Sequence, residues 1–294
     1  MLAGVEPGGT KVVAAIGRGP GDLVARTVVP TTEPGPTLDA VADFLRGHRV
    51  DALGLASFGP LDLDPASDGY GRITWTPKRG WEGTDLLGRL GSAVGVPVGV
   101  DTDVAGAALA EQRWGAGAGA RTTTYVTVGT GVGGATVEAG RVLHGRMRPE
   151  PGAPRRRADA GRRAPGVCRF HGGCLEGLAS GPALHARFGR PGQDLRGADL
   201  ARAVGLEAWY LGRLARTLVY LHSPDRLVLG GGVPKAPGLL AAVRRAVTDG
   251  LAGAIGLPEV VDGSFLVTPA LGDDAGVLGG LLLAEAALRD AAAS

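Results

Sequence analysis

The sequence predicts an α/β protein built from two halves of the same architecture. Three observations carry that prediction. Short runs rich in Val, Ile, Ala and Thr alternate with longer stretches of helical character, the pattern of layered strands and helices. Each half opens in the same way, with a strand, a glycine-rich hairpin, a second strand and a third. Glycine makes up 52 of the 294 residues and falls in tight clusters beside apolar runs, where backbone is shaped to approach something closely.

Residues 2–5, 11–16 and 23–29 read as strands, punctuated by Pro7-Gly8-Gly9 and Gly19-Pro20-Gly21. A helix is expected over about 36–47, a strand over 51–56, a helix near 84–94 and a strand over 96–100. Asp101 or Thr102 can cap a helix that runs to about 114. The pattern then restarts with TTTYVTV at 122–128, which ends in GTGVGG. ATVEAG and RVLHG follow as two more strands, turned at Ala139-Gly140. Helices are expected near 174–188 and 205–221, a strand and glycine turn at 225–232, a helix at 237–251, a strand at 264–268 and a last helix at 274–291. The boundary falls near 112–120, in the small-residue run WGAGAGARTT. Two such halves facing each other would make a cleft lined by the two hairpins.

Charge and composition exclude several classes. With 31 basic and 29 acidic residues the chain has no field to steer a polyanion, so no nucleic-acid partner is expected. An apolar share of 44% suits a buried core. No apolar run approaches the ~18 residues of a membrane span, so no membrane partner is expected either. The N-terminal stretch reads as no signal peptide and two cysteines build no disulfide framework, so a soluble cytoplasmic protein is expected. The basic residues are almost all Arg, which singles out the lysines at 11, 78 and 235.

The hairpins need discrimination. VGTGVGG matches the dinucleotide fingerprint at Gly129, Gly131 and Gly134, but that fingerprint requires a helix directly after the glycines. The alternating residues that follow predict strands, so a dinucleotide site is rejected. GVEPGGTK falls short of a P-loop for the same reason, and Thr10 precedes Lys11. What is left is two Gly-rich β-hairpins with Thr10 and Thr130 at their tips. Backbone N–H groups in such turns form concavities for anionic oxygens, with the Thr hydroxyls and Lys11 as further donors. Either hairpin alone reads equally as a tight turn; two at matching places, with a third cluster at Gly230-Gly231-Gly232, point to phosphate. Cys168-x2-His171-x2-Cys174 has the ligand chemistry and spacing for zinc. The Arg-rich segment 151–166 reads as a solvated loop.

VEPGGTK at 5–11, DTDVAGAALAE at 101–111, TVGTGVGG at 127–134, CRFHGGCLEGLASGP at 168–182 and LVLGGGV at 227–233 together resemble the ROK family of sugar kinases. SFGPLD at 57–62 with TPK at 76–78 is similar to its bacterial fructokinase branch. The resemblance implies an actin-like, ribonuclease-H-like ATPase fold with two domains flanking a cleft. It implies a sugar and phosphate domain over 1–115, on which the helix at about 274–291 packs back. A nucleotide-binding domain over 116–273 would carry a zinc-type loop at 150–176.

The same resemblance implies ATP-dependent phosphorylation of a free hexose, D-fructose to fructose 6-phosphate, with ATP and Mg²⁺, in a homodimer. Domain closure would exclude water. Asp103 would be the general base, although an acid in the first turn of a helix is also what the helix dipole favours. Gly8, Gly9, Thr10, Lys11, Thr130, Gly131 and Gly133 would hold phosphates. Gly181, Gly231 and Gly232 would face adenosine. Gly59, Pro60, Asp103, Glu150 and Glu176 would hold the sugar, where carboxylates accept from neighbouring hydroxyls.

Zinc would sit on Cys168, His171 and Cys174, with the His of an E-x-G-H motif as fourth ligand. Here that position is Ala153, which cannot ligate; the segment reads as a lineage-specific loop with weakened zinc, as a source of another ligand such as Asp159, or as a locally misread sequence. The missing His also touches sugar in the family. Ala105 stands where the family usually has Asn, which is expected to weaken turnover rather than abolish it, and Glu6 replaces the usual Asp of D-x-G-G-T. The alternatives within the family are a glucokinase or mannokinase, a protein that binds ligand without efficient transfer, and a transcriptional member. The last carries a helix-turn-helix ahead of the first glycine motif, whereas this sequence starts directly on it.

Overall fold

The computed structural model describes residues 1–76, 78–145, 148–154 and 166–293. They form two units, Met1–Trp114 with Leu271–Ser294, and Gly115–Ala270. Asp159 and most of the Arg-rich segment 151–166 lie outside the described residues.

The first unit runs β1 (Leu2–Pro7), β2 (Lys11–Gly17), β3 (Leu23–Pro30), α1 (Pro34–Arg46), β4 (Ala52–Ser57), α2 (Leu86–Val94), β5 (Val98–Thr102) and α3 (Asp103–Trp114). The second runs β6 (Thr122–Val128), β7 (Val132–Glu138), β8 (Arg141–Val142), α4 (Leu175–Ala179), α5 (Gly181–Phe188), α6 (Gly197–His222), β9 (Arg226–Gly230), α7 (Leu239–Leu251), α8 (Pro258–Val261) and β10 (Leu266–Val267). The chain then returns to the first unit as α9 (Ala275–Ala293).

Both units hold a five-stranded sheet of one strand order. In the first it is β3-β2-β1-β4-β5, and in the second β8-β7-β6-β9-β10. The first three strands of each pair antiparallel, while the fourth and fifth join parallel to the first. The internal repeat is thus one of topology.

In the first unit the sheet is covered on both faces. Val12, Ala14 and Ile16 of β2 join the core formed with α1 and α2, while Val13 and Ala15 meet Val277 of α9. That is the period-two alternation of a strand read directly in its neighbours. On α1, Leu38, Val41, Ala42 and Leu45 form one apolar stripe at helical spacing, and all four are buried. β3, at the sheet edge, alternates half-buried and exposed residues. Trp81 is fully buried and its indole N–H donates to the Thr32 carbonyl at 2.8 Å.

Helix α9 lies directly on backbone. A Cβ on Gly54 of β4 would stand 1.8 Å from the Gly280 carbonyl oxygen, and one on Gly279 2.1 Å from the Gly106 oxygen. Glycine is required here by the close approach of α9 to the sheet at Gly54 and to α3 at Gly106. In the second unit, α6 and α7 pack on the sheet through a core that includes Val126, Leu214, Leu229 and Val243.

Two helices differ from the sequence expectation. The stretch expected as one helix over 174–188 breaks at Ser180, which is extended at φ −80° and ψ 166° and ends α4 while starting α5. Pro182 lacks the N–H that a continuous helix would need. The break frees the Gly181 N–H, which donates to the Gly129 carbonyl at 2.7 Å. Helix α6 begins at Gly197 rather than near 205, because Gly205 sits in open space inside the helix and does not end it. Among the described residues no helix is long and apolar enough to cross a membrane.

Candidate active site

In the first unit, β1, β4 and β5 run parallel, so their C-terminal ends share one edge. The hairpin at 8–10 follows β1, Gly59 and Pro60 follow β4, and Asp103 follows β5 as the first residue of α3. This edge is where open α/β sheets bind ligands. Every sugar and phosphate residue assigned to this unit by resemblance therefore comes from the same set of strand ends.

The hairpin is tied from behind. Gly8 N–H donates to the Lys11 carbonyl at 2.9 Å, closing the turn. The Gly8 carbonyl accepts from Thr31 Oγ1 at 2.8 Å and the Thr10 carbonyl from Thr31 N–H at 2.9 Å. Lys78 Nζ donates to the carbonyls of Gly9 and Thr31. All three turn carbonyls are thus occupied, which leaves the N–H groups of Gly9 and Thr10 as donors for an anion. Lys11 itself is exposed and 3.9 Å from Asp273.

Asp103 is half-buried and its Oδ1 accepts from the Val104 N–H at 2.8 Å. It lies close enough to Glu6 to act on it. Burial, followed by the negative charge of Asp103, pushes the Glu6 carboxyl from 4.5 up to about 7, against the opposing charge of Lys11 and a hydrogen bond from Val277 N–H. Glu6 lies over the start of α9, where a Cβ on Gly276 would fall 2.1 Å from its Cδ. Its helix-end position favours charge, yet desolvation wins.

This has a measurable consequence. The unfolded chain ionises Glu6 near 4.5 and the folded chain near 7, so the folded state keeps its proton longer. The Glu6 contribution is fully present below about 4.5 and is lost as pH rises through 7. Glu6→Gln, neutral throughout, is expected to gain about 2–3 kcal/mol on the wild type between pH 5 and pH 8 in ligand-free thermal or urea unfolding. Parallel pH profiles for the two proteins would disprove it.

In the second unit the hairpin at 129–131 is followed directly by strand β7, as the rejection of a dinucleotide fingerprint requires. Gly129 N–H donates to the Gly131 carbonyl at 2.9 Å, and Val132 N–H to Glu176 Oε2 at 3.1 Å. A Cβ on Gly131 would lie 2.6 Å from that same oxygen, so the carboxylate and the turn fit only with glycine there. Gly231 has φ +91° and packs on the backbone of Val128. Gly133 lies past the turn, inside β7 opposite Thr127.

A cavity of about 960 Å³ opens beside this hairpin, lined among others by Thr130, Gly181, Gly232 and Glu207. Glu207, on α6, was not singled out by sequence. Burial holds its carboxyl well above the usual range, opposed by the charge of Arg187. The available signal was its spacing: Ala203, Glu207 and Leu211 recur at four-residue steps on the buried face of α6. An acid on such a stripe costs about 1–3 kcal/mol or more unless it finds a partner.

The two remaining sugar candidates part company. Glu176 lies in the first turn of α4 and serves the hairpin through Val132. Glu150 is half-exposed, pairs with Arg148 Nε at 2.8 Å and lines a separate cavity of about 160 Å³ with Thr136 and His222.

Cys168, His171 and Cys174 bring two thiols and an imidazole within 4.8 Å of one another. Cys168 Sγ and His171 Nδ1 are 3.8 Å apart, and both cysteines are free. Gly172, at φ +58°, turns the chain, and Cβ atoms on Gly166 or Gly177 would strike its carbonyl at 2.0 Å. The donor set is of the kind that binds zinc, with three of its usual four ligands. Ala153 sits beside it: the carbonyls flanking it, Gly152 and Pro154, accept from Glu176 and Leu175 N–H at 3.0 and 3.2 Å. Its methyl group supplies no fourth donor.

Two mixed sheets of one strand order, each opened by a glycine-tipped hairpin and flanked by helices, have the architecture of the actin-like ATPase fold. The chain belongs to the ROK family, whose pattern matches residues 2–287. It is 42% identical over 299 residues to a fructokinase from Zymomonas mobilis, covering 96% of both chains. Among solved structures it is similar to a ROK hexokinase from Thermus thermophilus, with a TM-score of 0.80, 32% identity and 98% and 99% of the two chains covered. It is also similar to a ROK glucokinase from Streptomyces griseus in complex with glucose and AMPPNP, with a TM-score of 0.72 and 25% identity, covering 97% and 99%.

Proposed function

We propose that the protein is a fructokinase-type sugar kinase that transfers the γ-phosphoryl group of ATP to O6 of D-fructose. The observation that carries it is Asp103, set at the head of α3 on the strand edge that also presents the Gly8–Lys11 hairpin. The fructokinase relative gives the substrate class, and the glucokinase solved with AMPPNP supports a nucleotide triphosphate as donor.

The second unit offers the nucleotide its cavity beside Thr130, Gly181 and Gly232. The first offers the acceptor its base. The proton of the fructose O6–H passes to the Asp103 carboxylate as O6 bonds to the γ-phosphorus. The bond from that phosphorus to the β,γ-bridging oxygen breaks, and ADP leaves. Such transfers depend on positioning and charge neutralisation more than on covalent catalysis, and hairpin N–H groups fit that need.

Glu6 and Asp103 bring two carboxyls near one another, and their repulsion is part of what raises Glu6. Glu6, once ionised, would hold a divalent cation at this edge, which leaves the Asp103 carboxylate to accept the proton. Mg²⁺ bound there supplies charge neutralisation for the β and γ phosphates. Zinc on Cys168, His171 and Cys174 would be structural, bracing the turn that leads into Glu176. Free thiols and the use of ATP suit a reducing cytoplasm, and a homodimer is part of the same reading.

The test is ADP release coupled to a hexose panel. Fructose is expected to give the highest kcat/KM, with fructose 6-phosphate as product. Preference for glucose or mannose would reassign the substrate, and ADP release indifferent to every hexose would overturn the reading.

A further inference from the structure

The carboxyl of Glu207 is 1% exposed, and neither of its oxygens has a hydrogen-bond partner among the described residues. One turn along the same helix the Tyr210 hydroxyl is equally buried and equally without a partner. The charge that acts on Glu207 is Arg187, whose Nη1 donates to the Leu178 carbonyl at 3.3 Å and whose guanidinium lies 5.9 Å over the Tyr210 ring. The described residues thus leave Glu207 unsatisfied, while it borders the 960 Å³ cavity that is also lined by Thr130, Gly181 and Gly232. Buried polar groups in native proteins are paired, so an orphan aimed into a cavity marks a place for a ligand group.

We propose that Glu207 recognises the base of the nucleotide, its carboxyl pairing with the 6-amino group and N7 of adenine. The inference rests on the kinase reading above and extends it to base selection. A buried carboxyl that keeps its proton is both a donor and an acceptor. Adenine presents the complementary pair, an N–H donor beside a ring-nitrogen acceptor. The edge of guanine that carries N7 and O6 presents two acceptors, which leaves one of them facing the Glu207 carbonyl oxygen. The apolar remainder of the cavity wall, including Leu184, Leu195 and Leu200, suits a flat ring.

Nothing in the hairpins can make this choice, since phosphate is common to all nucleotides. Thr130 and the glycines account for the tail of the nucleotide; Glu207 accounts for its head. It belongs to the second unit and Asp103 to the first, so its loss is expected to act on nucleotide affinity and not on the chemistry of transfer.

The test uses the intact protein and titration calorimetry with ADP, GDP and the diphosphate of unsubstituted purine riboside. Glu207→Gln presents a donor and an acceptor from its amide and is expected to bind ADP within about threefold of the wild type. Glu207→Leu fills the same volume without polar atoms. It is expected to lose roughly tenfold or more in ADP affinity and most of the ADP over GDP preference. It should unfold no earlier than the wild type in the absence of nucleotide, which separates lost recognition from lost structure. Purine riboside diphosphate keeps the ring nitrogen but lacks the amino group, so it should bind wild type more weakly than ADP and lose less affinity than ADP does in Glu207→Leu. Equal ADP affinity in Glu207→Leu and wild type overturns the inference and leaves the kinase reading standing. A wild type that binds no adenine nucleotide overturns both.

Discussion

Asp103→Asn is expected to lower kcat by a factor of about 10²–10⁴ while leaving KM for both substrates within a few fold. The change removes one capacity only. The side-chain amide keeps the size of the carboxylate and an oxygen that can still accept from Val104 N–H, the contact that holds residue 103 at the head of α3. What it cannot do is take the proton of the acceptor alcohol. Loss of the negative charge at the first turn of α3 costs a further 0.3–1 kcal/mol of stability, roughly, through the helix dipole. That is too little to unfold the protein and can be measured separately by thermal melts. The decisive measurement is steady-state turnover with saturating fructose and ATP. A variant that retained more than a tenth of wild-type kcat would remove Asp103 from the role of base.

Gly54→Ala is expected to destabilise the first unit by about 3 kcal/mol or more and to lower its melting temperature by roughly 6–12 °C. The added methyl group would meet the Gly280 carbonyl at 1.8 Å and the Ala284 nitrogen at 2.6 Å. Both are backbone atoms within a helix, and neither can move alone. The helix cannot retreat as a body without disturbing its other close approaches, Gly279 to Gly106 and Gly4 to Val277. Gly35→Ala is the control, because it adds a methyl group in helix α1 where nothing lies within 4 Å. It is expected to leave the melt unchanged or raise it slightly, since alanine is the better helix former. A Gly54→Ala melt within 2 °C of the wild type would show that the helix floats on the sheet rather than seating against it.

The parts of the fold that the sequence disclosed are those governed by local chemistry. VGTGVGG was readable as a hairpin because the residues after it alternate, and β7 indeed begins at Val132. Asp103 was readable as a helix-starting acid at the end of a strand, which is where it stands. What escaped depended on distant chain. Ser180 breaks a helical stretch so that Gly181 can reach Gly129, a contact across more than fifty residues that no local propensity encodes. Glu176 carries a helix-start signature, and its second task, holding the hairpin through Val132 N–H, involves a residue 44 positions away. The helix expected from about 205 starts at Gly197, and α6 runs through Gly205 because Ala203 on one side and a long face from Ala208 on the other are buried. Glu207 was invisible for the same reason: its meaning lies in the cavity it borders, and that cavity is assembled from segments spread from Gly129 to Leu239.

The return of α9 to the first unit has a consequence for biosynthesis. Strands β1, β4 and β5 leave the ribosome early, but the helix that seats on their glycine-lined face is translated more than 170 residues after β5. Residues 115–270 can collapse around their own core while the first sheet waits with one side bare. The nascent chain therefore completes its second unit before its first, and the opening half of the polypeptide is the last to become resistant to proteases.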